Sequence, residues 1–206
     1  VSFNCLGGMV EGQLLLCGAN FKGAVHLDGL ETVDAVFLNE GAIFKDELTL
    51  RGAKIKGELN LITSYFKKVN LQKVEVREPL FWKGARIEEL SAWSASLGGL
   101  VAAPAKIDHL NLASCHADFI ADTEDPTAWP DSMNLDNFIY DRFGPDRKRK
   151  PVSDRPLEWF TGWLSRHRPY TPQPYQQLAE TLKQAGQSGK AAGVLYAGKK
   201  RARRVA

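Results

Sequence analysis

The sequence predicts a mainly β protein, a β-helix in which short strands coil into a solenoid, followed by a C-terminal α-helical hairpin. Two observations predict this fold. From Gln13 to Lys68 an apolar pattern recurs at a period of about eleven residues, and after Pro156 a helical spacing of apolar residues replaces it. A repeat this short cannot hold two helices, because helical repeats need about 33 residues or more. Each repeat therefore corresponds to about half a turn of short strands.

The repeat consists of two alternating apolar residues, a small residue and one large apolar residue. Because successive side chains of a strand face opposite sides, the alternating leucines point into the solenoid and Cys17 points outward as a surface thiol. Gly-Ala pairs such as Gly18-Ala19 suit tight corners between stacked layers. The expected interior residues are Leu16, Leu27, Leu38, Leu50 and Leu61, together with Phe21, Phe44, Ile55 and Phe66.

Beyond Val69 the repeat becomes looser, but it continues for what we expect to be three further turns. It then gives way to a stretch with several prolines and the basic run from Arg147 to Lys150, which predicts a linker. Alternation returns once, between Met133 and Tyr140, and predicts a strand that caps the solenoid. The three predicted segments are the β-solenoid, the linker with its capping strand, and the helical segment, which comprise residues 1–121, 122–155 and 156–206.

The helical segment contains three apolar stripes. The first begins at Trp159 and includes a second tryptophan, Trp163, so we expect this helix to dock through its tryptophans. Further stripes begin at Tyr175 and Ala191, and together they predict a helical hairpin. Three glycines weaken the prediction of the last helix because glycine is a poor helix former; they are Gly189, Gly193 and Gly198.

Composition limits the function classes. The chain of 206 residues has a formal net charge of +3 and a pI near 8.7, which is too mild for a protein whose whole surface binds nucleic acid. Its three cysteines are far apart and odd in number, which favours a reducing compartment such as the bacterial cytoplasm. No apolar run reaches the roughly 18 residues of a membrane span. Because Val1 is not an initiator methionine, we expect the sequence to be part of a longer protein.

The sequence contains none of the common catalytic or phosphate-binding motifs, so no catalytic residue and no cofactor-binding residue is predicted. The four histidines lie on different predicted elements. Cys115-His116 alone provides too few ligands for a metal site, which needs three or four. We therefore expect no bound cofactor and no metal.

Two surfaces are candidates for binding. Trp82 and Trp93 lie about half a turn apart, and stacked on one face they would present an aromatic surface to a sugar or a protein. The alternative is that they pack under a neighbouring loop. The chain ends in a basic cluster that suits a helix C-terminus and attracts an anionic surface; its members are Lys199, Lys200, Arg201, Arg203 and Arg204.

The repeated Leu-x-Leu-x-Gly-Ala-x-Phe, first seen from Leu14 to Phe21, resembles the pentapeptide-repeat proteins, which implies a right-handed β-helix with inward leucine and phenylalanine. The extra residue in each pair of pentapeptides departs from that pattern. The repeats, the stretch from Leu135 to Phe143 and the stretch from Pro172 to Gly186 also resemble a family of uncharacterised bacterial membrane-associated proteins. This second resemblance covers nearly the whole chain. It implies hydrophobic membrane helices after an arginine-rich stretch, and some members carry an oxidoreductase label.

These observations predict a non-enzymatic scaffold or protein-interaction module in the cytoplasm at the inner membrane, with an anionic membrane surface as a partner. The sequence specifies no particular protein partner and no oligomeric state. Two enzyme classes are alternatives: a membrane-associated oxidoreductase, on the family label alone, and a hexapeptide acyltransferase, which the five-plus-six spacing opposes. A third alternative is a DNA mimic built on pentapeptide repeats, which the slightly basic charge opposes because such a mimic is acidic.

Overall fold

The computed structural model describes residues 2–102, 105–122, 125–128, 130–144 and 151–205 of the chain. It is mainly β, with a parallel β-solenoid of about six turns followed by three helices. Successive turns contribute strands to two sheets, and every strand pair within them is parallel. The predicted fold class is therefore confirmed.

The two sheets contain eight and ten strands, numbered in chain order. The first sheet comprises β1 (Phe3–Asn4), β4 (Asn20–Phe21), β5 (Val25–His26), β8 (Ile43–Thr49), β11 (Tyr65–Asn70), β13 (Arg86–Ser91), β15 (Lys106–Asn111) and β17 (Ser132–Asn134). The second comprises β2 (Met9–Val10), β3 (Leu14–Leu15), β6 (Glu31–Thr32), β7 (Val36–Phe37), β9 (Lys54–Ile55), β10 (Leu59–Asn60), β12 (Glu75–Phe81), β14 (Ser96–Ala102), β16 (His116–Asp122) and β18 (Ile139–Phe143).

One turn of the solenoid takes about two sequence repeats. Strand partners lie 20 to 23 residues apart, as between Leu90 and Leu110 at the short end and between Leu110 and Met133 at the long end. The first turn, β1 to β4, consists of four strands of two residues each. From β11 to β16 the strands are six or seven residues long, so the later turns form longer hydrogen-bonded ladders.

The predicted interior leucines form two columns inside the solenoid. Leu27 and Leu50 stack in one column and Leu38 and Leu61 in the other, because residues half a turn apart lie on different sides of the coil. All four are fully buried, as predicted. Leu16 is only half-buried because it lies in the first turn, which within the described residues has a neighbouring turn on one side.

A column of stacked aromatic rings lies inside the solenoid, against the first sheet. The ring centroids of Phe21 and Phe44 lie 5.1 Å apart, and those of Phe44 and Phe66 lie 5.0 Å apart. Phe44 and Phe66 are buried, Phe21 is half-buried in the first turn, and Ile55 is buried behind the second sheet. Burial of each such side chain contributes about 1.5–3 kcal/mol. The repeat thus correctly predicted the large interior residues.

The corners of the solenoid use a left-handed backbone conformation. Gly29 and Gly52 occupy one corner of successive turns with φ of 67° and 64°. At the same corner of the next two turns stand Lys73 and Ser94, with φ of 57° and 56°. Glycine adopts this conformation at little cost, whereas other residues need support from surrounding structure. The sequence repeat therefore loosens after Val69 while the backbone geometry is retained.

Both sheets continue beyond residue 121, where the sequence predicted a linker with one capping strand. β17 pairs with β15 in the first sheet, and β18 pairs with β16 in the second. The predicted strand between Met133 and Tyr140 thus corresponds to parts of two strands on different sheets. The basic run from Arg147 to Lys150 lies outside the described residues.

The helical segment follows two short 3-10 turns, Pro126–Ala128 and Val152–Asp154. Its helices are α1 (Leu157–Ser165), α2 (Gln173–Gln184) and α3 (Ser188–Val205). α2 and α3 pack against each other as the predicted hairpin. α1 docks through a buried apolar stripe, as its spacing predicted, formed by Trp159, Phe160, Trp163 and Leu164.

The helical segment covers the edges of the last solenoid turn. The Met133 N–H donates to the Arg166 carbonyl and the Arg168 N–H donates to the Met133 carbonyl, so this segment extends the first sheet past β17. On the second sheet, the Gln177 side-chain amide donates to the Tyr140 carbonyl at 2.8 Å. An uncovered strand edge is a template for pairing with another chain. These contacts therefore protect that end of the solenoid.

We predict that Leu50→Asp prevents folding, because it places a carboxylate at a fully buried apolar position. The milder Leu50→Ala should lower the free energy of unfolding by about 2–5 kcal/mol. Circular dichroism and denaturant unfolding measure both effects. The matched control is Leu15→Asp, at a position 59% exposed, which should fold normally. A native spectrum for Leu50→Asp would show that the predicted strand register is wrong.

Candidate functional site

The strongest candidate surface is the outer face of α3. The helix packs against the rest of the segment through Ala191 and Val194, which are fully buried. On the opposite side Tyr196 is 68% exposed. At three, four, seven and eight residues after Tyr196, the spacing of one helical face, stand four exposed cations: Lys199, Lys200, Arg203 and Arg204. The α3 basic face, defined as Tyr196 with these four residues, thus combines positive charge with an aromatic ring.

Arg201, the fifth member of the predicted basic cluster, does not belong to this face. Its guanidinium donates to the Leu164 carbonyl at 2.8 Å, to the Tyr175 hydroxyl at 3.1 Å and to the His167 carbonyl. It also lies 5.6 Å from the centre of the Tyr170 ring. Arg201 therefore fastens α3 to α1 and α2, while the other four cations remain exposed.

The expected aromatic surface of Trp82 and Trp93 is not formed. Trp82 is only 2% exposed, because it occupies the interior column of Leu38 and Leu61 in the next turn. Trp93 follows β13 of the first sheet and is 40% exposed, with the Lys73 Nζ atom 5.7 Å from its ring centre. Residues half a turn apart cannot stack, because they belong to different sides of the solenoid.

A polar groove of about 550 Å³ runs across the outer face of the first sheet. Lys68, Glu89, His109 and Ser132 lie side by side on successive strands, and Arg168 lines the same groove. The His109 Nδ1 atom is 2.8 Å from the Ser132 hydroxyl oxygen. The groove therefore offers hydrogen-bond donors and acceptors at the spacing of the strands, which suits an extended polar segment of a partner.

The structure separates Cys115 from His116. The Cys115 side chain is buried, and burial raises the pKa of its thiol to about 12, which keeps it protonated and unreactive. His116 faces outward and its Nε2 atom lies 3.1 Å from an Asp141 carboxylate oxygen. Asp118 lies close to both side chains. Cys17 is exposed, as predicted.

A fully buried histidine lies between the solenoid and the helices. The Leu135 N–H donates to His167 Nδ1 at 3.1 Å, so the ring proton resides on Nε2. Nε2–H donates to the Thr171 hydroxyl at 3.0 Å, and this hydroxyl donates to the Asp136 carboxylate at 3.0 Å. Burial and the nearby Arg201 hold the pKa of His167 below its usual range, although a hydrogen bond with the Met133 backbone and the charge of Asp136 oppose this shift. The neutral imidazole is therefore part of the interface.

A comparison with protein-family models, with curated proteins and with solved structures finds no match to this chain. Within the described ranges, no helix combines the length and the hydropathy needed to cross a membrane.

Several residues of these surfaces were not singled out from the sequence. Tyr196 had a detectable signal, since its helical spacing to Lys199, Lys200 and Arg203 places it on their face. Asp118 and Asp141 had none, because only the register between β16 and β18 brings them together.

We predict that the free energy of unfolding decreases as the pH falls below about 6.5, the usual pKa of histidine. His167 is neutral in the folded chain, and its pKa is lower in the folded chain than in the unfolded chain. Its contribution to the free energy of unfolding is therefore complete above the unfolded-state pKa. This contribution is lost as the pH falls from the unfolded-state pKa toward the folded-state pKa. Protonation would also place a proton on Nδ1, against the Leu135 N–H.

The test is denaturant unfolding at about pH 7.5 and about pH 5.5. His167→Ala should be less stable at the higher pH by about 1–3 kcal/mol, because it leaves buried polar groups unpaired. It should also lose part of the acid sensitivity. His109→Ala, at an exposed histidine, is the control and should behave like the unaltered chain. Equal acid sensitivity in the chain and in His167→Ala would contradict the assignment.

Proposed function

We propose that this chain is a non-enzymatic interaction module, whose solenoid presents a rigid binding surface and whose α3 basic face attaches it to an anionic membrane surface. The proposal rests on the difference between the two sides of α3. Arg201 is bonded to the carbonyls of Leu164 and His167, whereas four other cations and Tyr196 are exposed on the opposite side. One side of the helix is thus structural and the other is available for binding.

The charge on this face suits a lipid surface. Each lysine or arginine near an anionic leaflet contributes about 1 kcal/mol, so four contribute about 4 kcal/mol. That energy alone corresponds to a dissociation constant of about 1 mM. Tyr196 adds to it, because tyrosine has an apolar ring and a polar hydroxyl and is enriched at membrane interfaces. We infer weak, salt-sensitive attachment by this face alone.

The solenoid supports the second half of the proposal. Its parallel ladders hold successive side chains at the fixed spacing of about 4.8 Å between strands. The polar groove on the first sheet uses this spacing to align Lys68, Glu89 and His109. An extended polar segment of a protein partner would meet one side chain per strand. A rigid surface loses little entropy when it binds.

The sequence resemblance supports the same function. The pentapeptide-like repeat suggests the solenoid, and the resemblance to the family of bacterial membrane-associated proteins suggests that it is held in the cytoplasm at the inner membrane. In that arrangement the α3 basic face would lie against the leaflet, because cytoplasmic segments that flank membrane spans are rich in lysine and arginine.

The proposal predicts that the chain co-sediments with vesicles containing anionic lipid but not with vesicles of neutral lipid, and that added salt releases it. Replacing Lys199, Lys200, Arg203 and Arg204 by alanine should abolish this binding. Arg201 is left in place, because its loss would disturb the packing of the helices. Tyr196→Ala should weaken binding without changing its salt dependence.

The matched control removes the same charge from the solenoid, by alanine at four exposed lysines: Lys22, Lys45, Lys67 and Lys83. This variant should bind anionic vesicles nearly as well as the unaltered chain. Equal recovery on neutral and anionic vesicles, or equal loss in both quadruple variants, would contradict the proposal. Retention on duplex DNA without retention on vesicles would instead assign the α3 basic face to nucleic acid.

A further inference from the structure

We propose that the outer face of the second sheet carries a binding site for a divalent first-row transition-metal ion, formed by His116, Asp118 and Asp141. The site is independent of the α3 basic face. It joins two residues of β16 to one residue of β18.

The strand geometry brings these three side chains together. His116 and Asp118 are two residues apart on β16, so both point outward while Ala117 between them is fully buried. Ala117 pairs with Tyr140 and Phe119 with Arg142, so Asp141 lies directly beside Asp118 on the neighbouring strand. One ligand atom from each of the three residues lies within 4.8 Å of the other two.

The charges of this cluster are unbalanced. Like charges placed opposite each other on adjacent strands destabilise a sheet. The Asp118 carboxylate makes no hydrogen bond or ion pair with any residue that the structure describes, and Asp141 contacts the His116 ring at 3.1 Å. A bound divalent cation would neutralise both carboxylates, whereas one imidazole carries at most one positive charge.

The cluster is open to solvent. Asp118 and Asp141 are exposed, and 44% of the His116 side chain is accessible. Ligands of one metal ion lie about 3 Å from each other, and small side-chain rotations reach that spacing from the observed distances.

The ligand set selects the class of ion. An imidazole nitrogen suits zinc, nickel, copper and iron, and carboxylates complete sites for the same ions. Calcium takes six to eight oxygen ligands, and this cluster supplies only two carboxylates. Three protein ligands leave coordination positions for water or for a donor group from a partner. The proposed occupant is therefore a transition-metal ion with an open position, such as Zn²⁺ or Co²⁺.

The test is a titration of the chain, without a histidine tag, with Co²⁺, followed by its visible absorption and by calorimetry. We expect saturable binding of one ion per chain, displacement by Zn²⁺, and no competition from Mg²⁺ or Ca²⁺ at equal concentration. His116→Asn, Asp118→Asn and Asp141→Asn should each weaken binding by about tenfold or more. All three positions are on the surface, and circular dichroism verifies that the variants fold.

His109→Asn is the matched control, because His109 is an exposed histidine on the other sheet. It should bind Co²⁺ with unchanged affinity. Absence of saturable binding would overturn the proposal and leave His116 and Asp141 as a simple hydrogen-bonded pair. Binding that survives both His116→Asn and Asp141→Asn, or that is lost in His109→Asn, would also overturn it.

Discussion

The register of the parallel hydrogen-bonded ladders between successive turns determines both the core and the surface of this protein. This register places each apolar residue on its counterpart 20 to 23 residues away, as in the column of Leu27 and Leu50. It also arranges the surface. Where interior residues of successive turns are stacked, the outward-facing residues next to them in sequence are aligned across successive strands. The polar groove and the cluster of His116, Asp118 and Asp141 are both products of this alignment. A slip of one residue would exchange the buried and exposed sets.

The helical segment covers the strand edges at one end of the solenoid. Backbone hydrogen bonds from Met133 and Arg168 extend the first sheet, and the Gln177 amide satisfies a carbonyl of the second. Arg201 then joins α3 to α1 through the Leu164 carbonyl and to α2 through the Tyr175 hydroxyl, and His167 accepts a hydrogen bond from the Leu135 N–H of the last turn. These contacts hold α3 in one orientation. They therefore also determine which of its cations are exposed, so the proposed membrane surface depends on the cap.

The architecture and most of the core could be predicted from the sequence, because a repeated apolar pattern indicates which residues are buried in every turn. It was insufficient where a residue departs from its repeat or acts through a distant partner. Trp82 occupies a leucine position that the looser repeat did not reveal, and Arg201 resembles its basic neighbours until its acceptors are known. Two of the three glycines of α3 have a packing reason that no local rule predicts: a Cβ atom at Gly193 would lie 2.5 Å from the Leu157 side chain, and one at Gly198 would lie 2.9 Å from the Tyr175 ring. Asp118 and Asp141 meet only through register.

The spacing of one turn determines which residues lie side by side in the solenoid, and zero-length carbodiimide cross-linking of the unaltered chain measures that spacing. Glu31 and Lys54 lie on neighbouring strands with their charged atoms 3.3 Å apart, and those of Glu47 and Lys68 lie 3.2 Å apart. Mass spectrometry should therefore find amide cross-links that join Glu31 to Lys54 and Glu47 to Lys68, each across one full turn. Cross-links that join these glutamates mainly to lysines at other spacings, such as Lys22 or Lys45, would contradict the solenoid register.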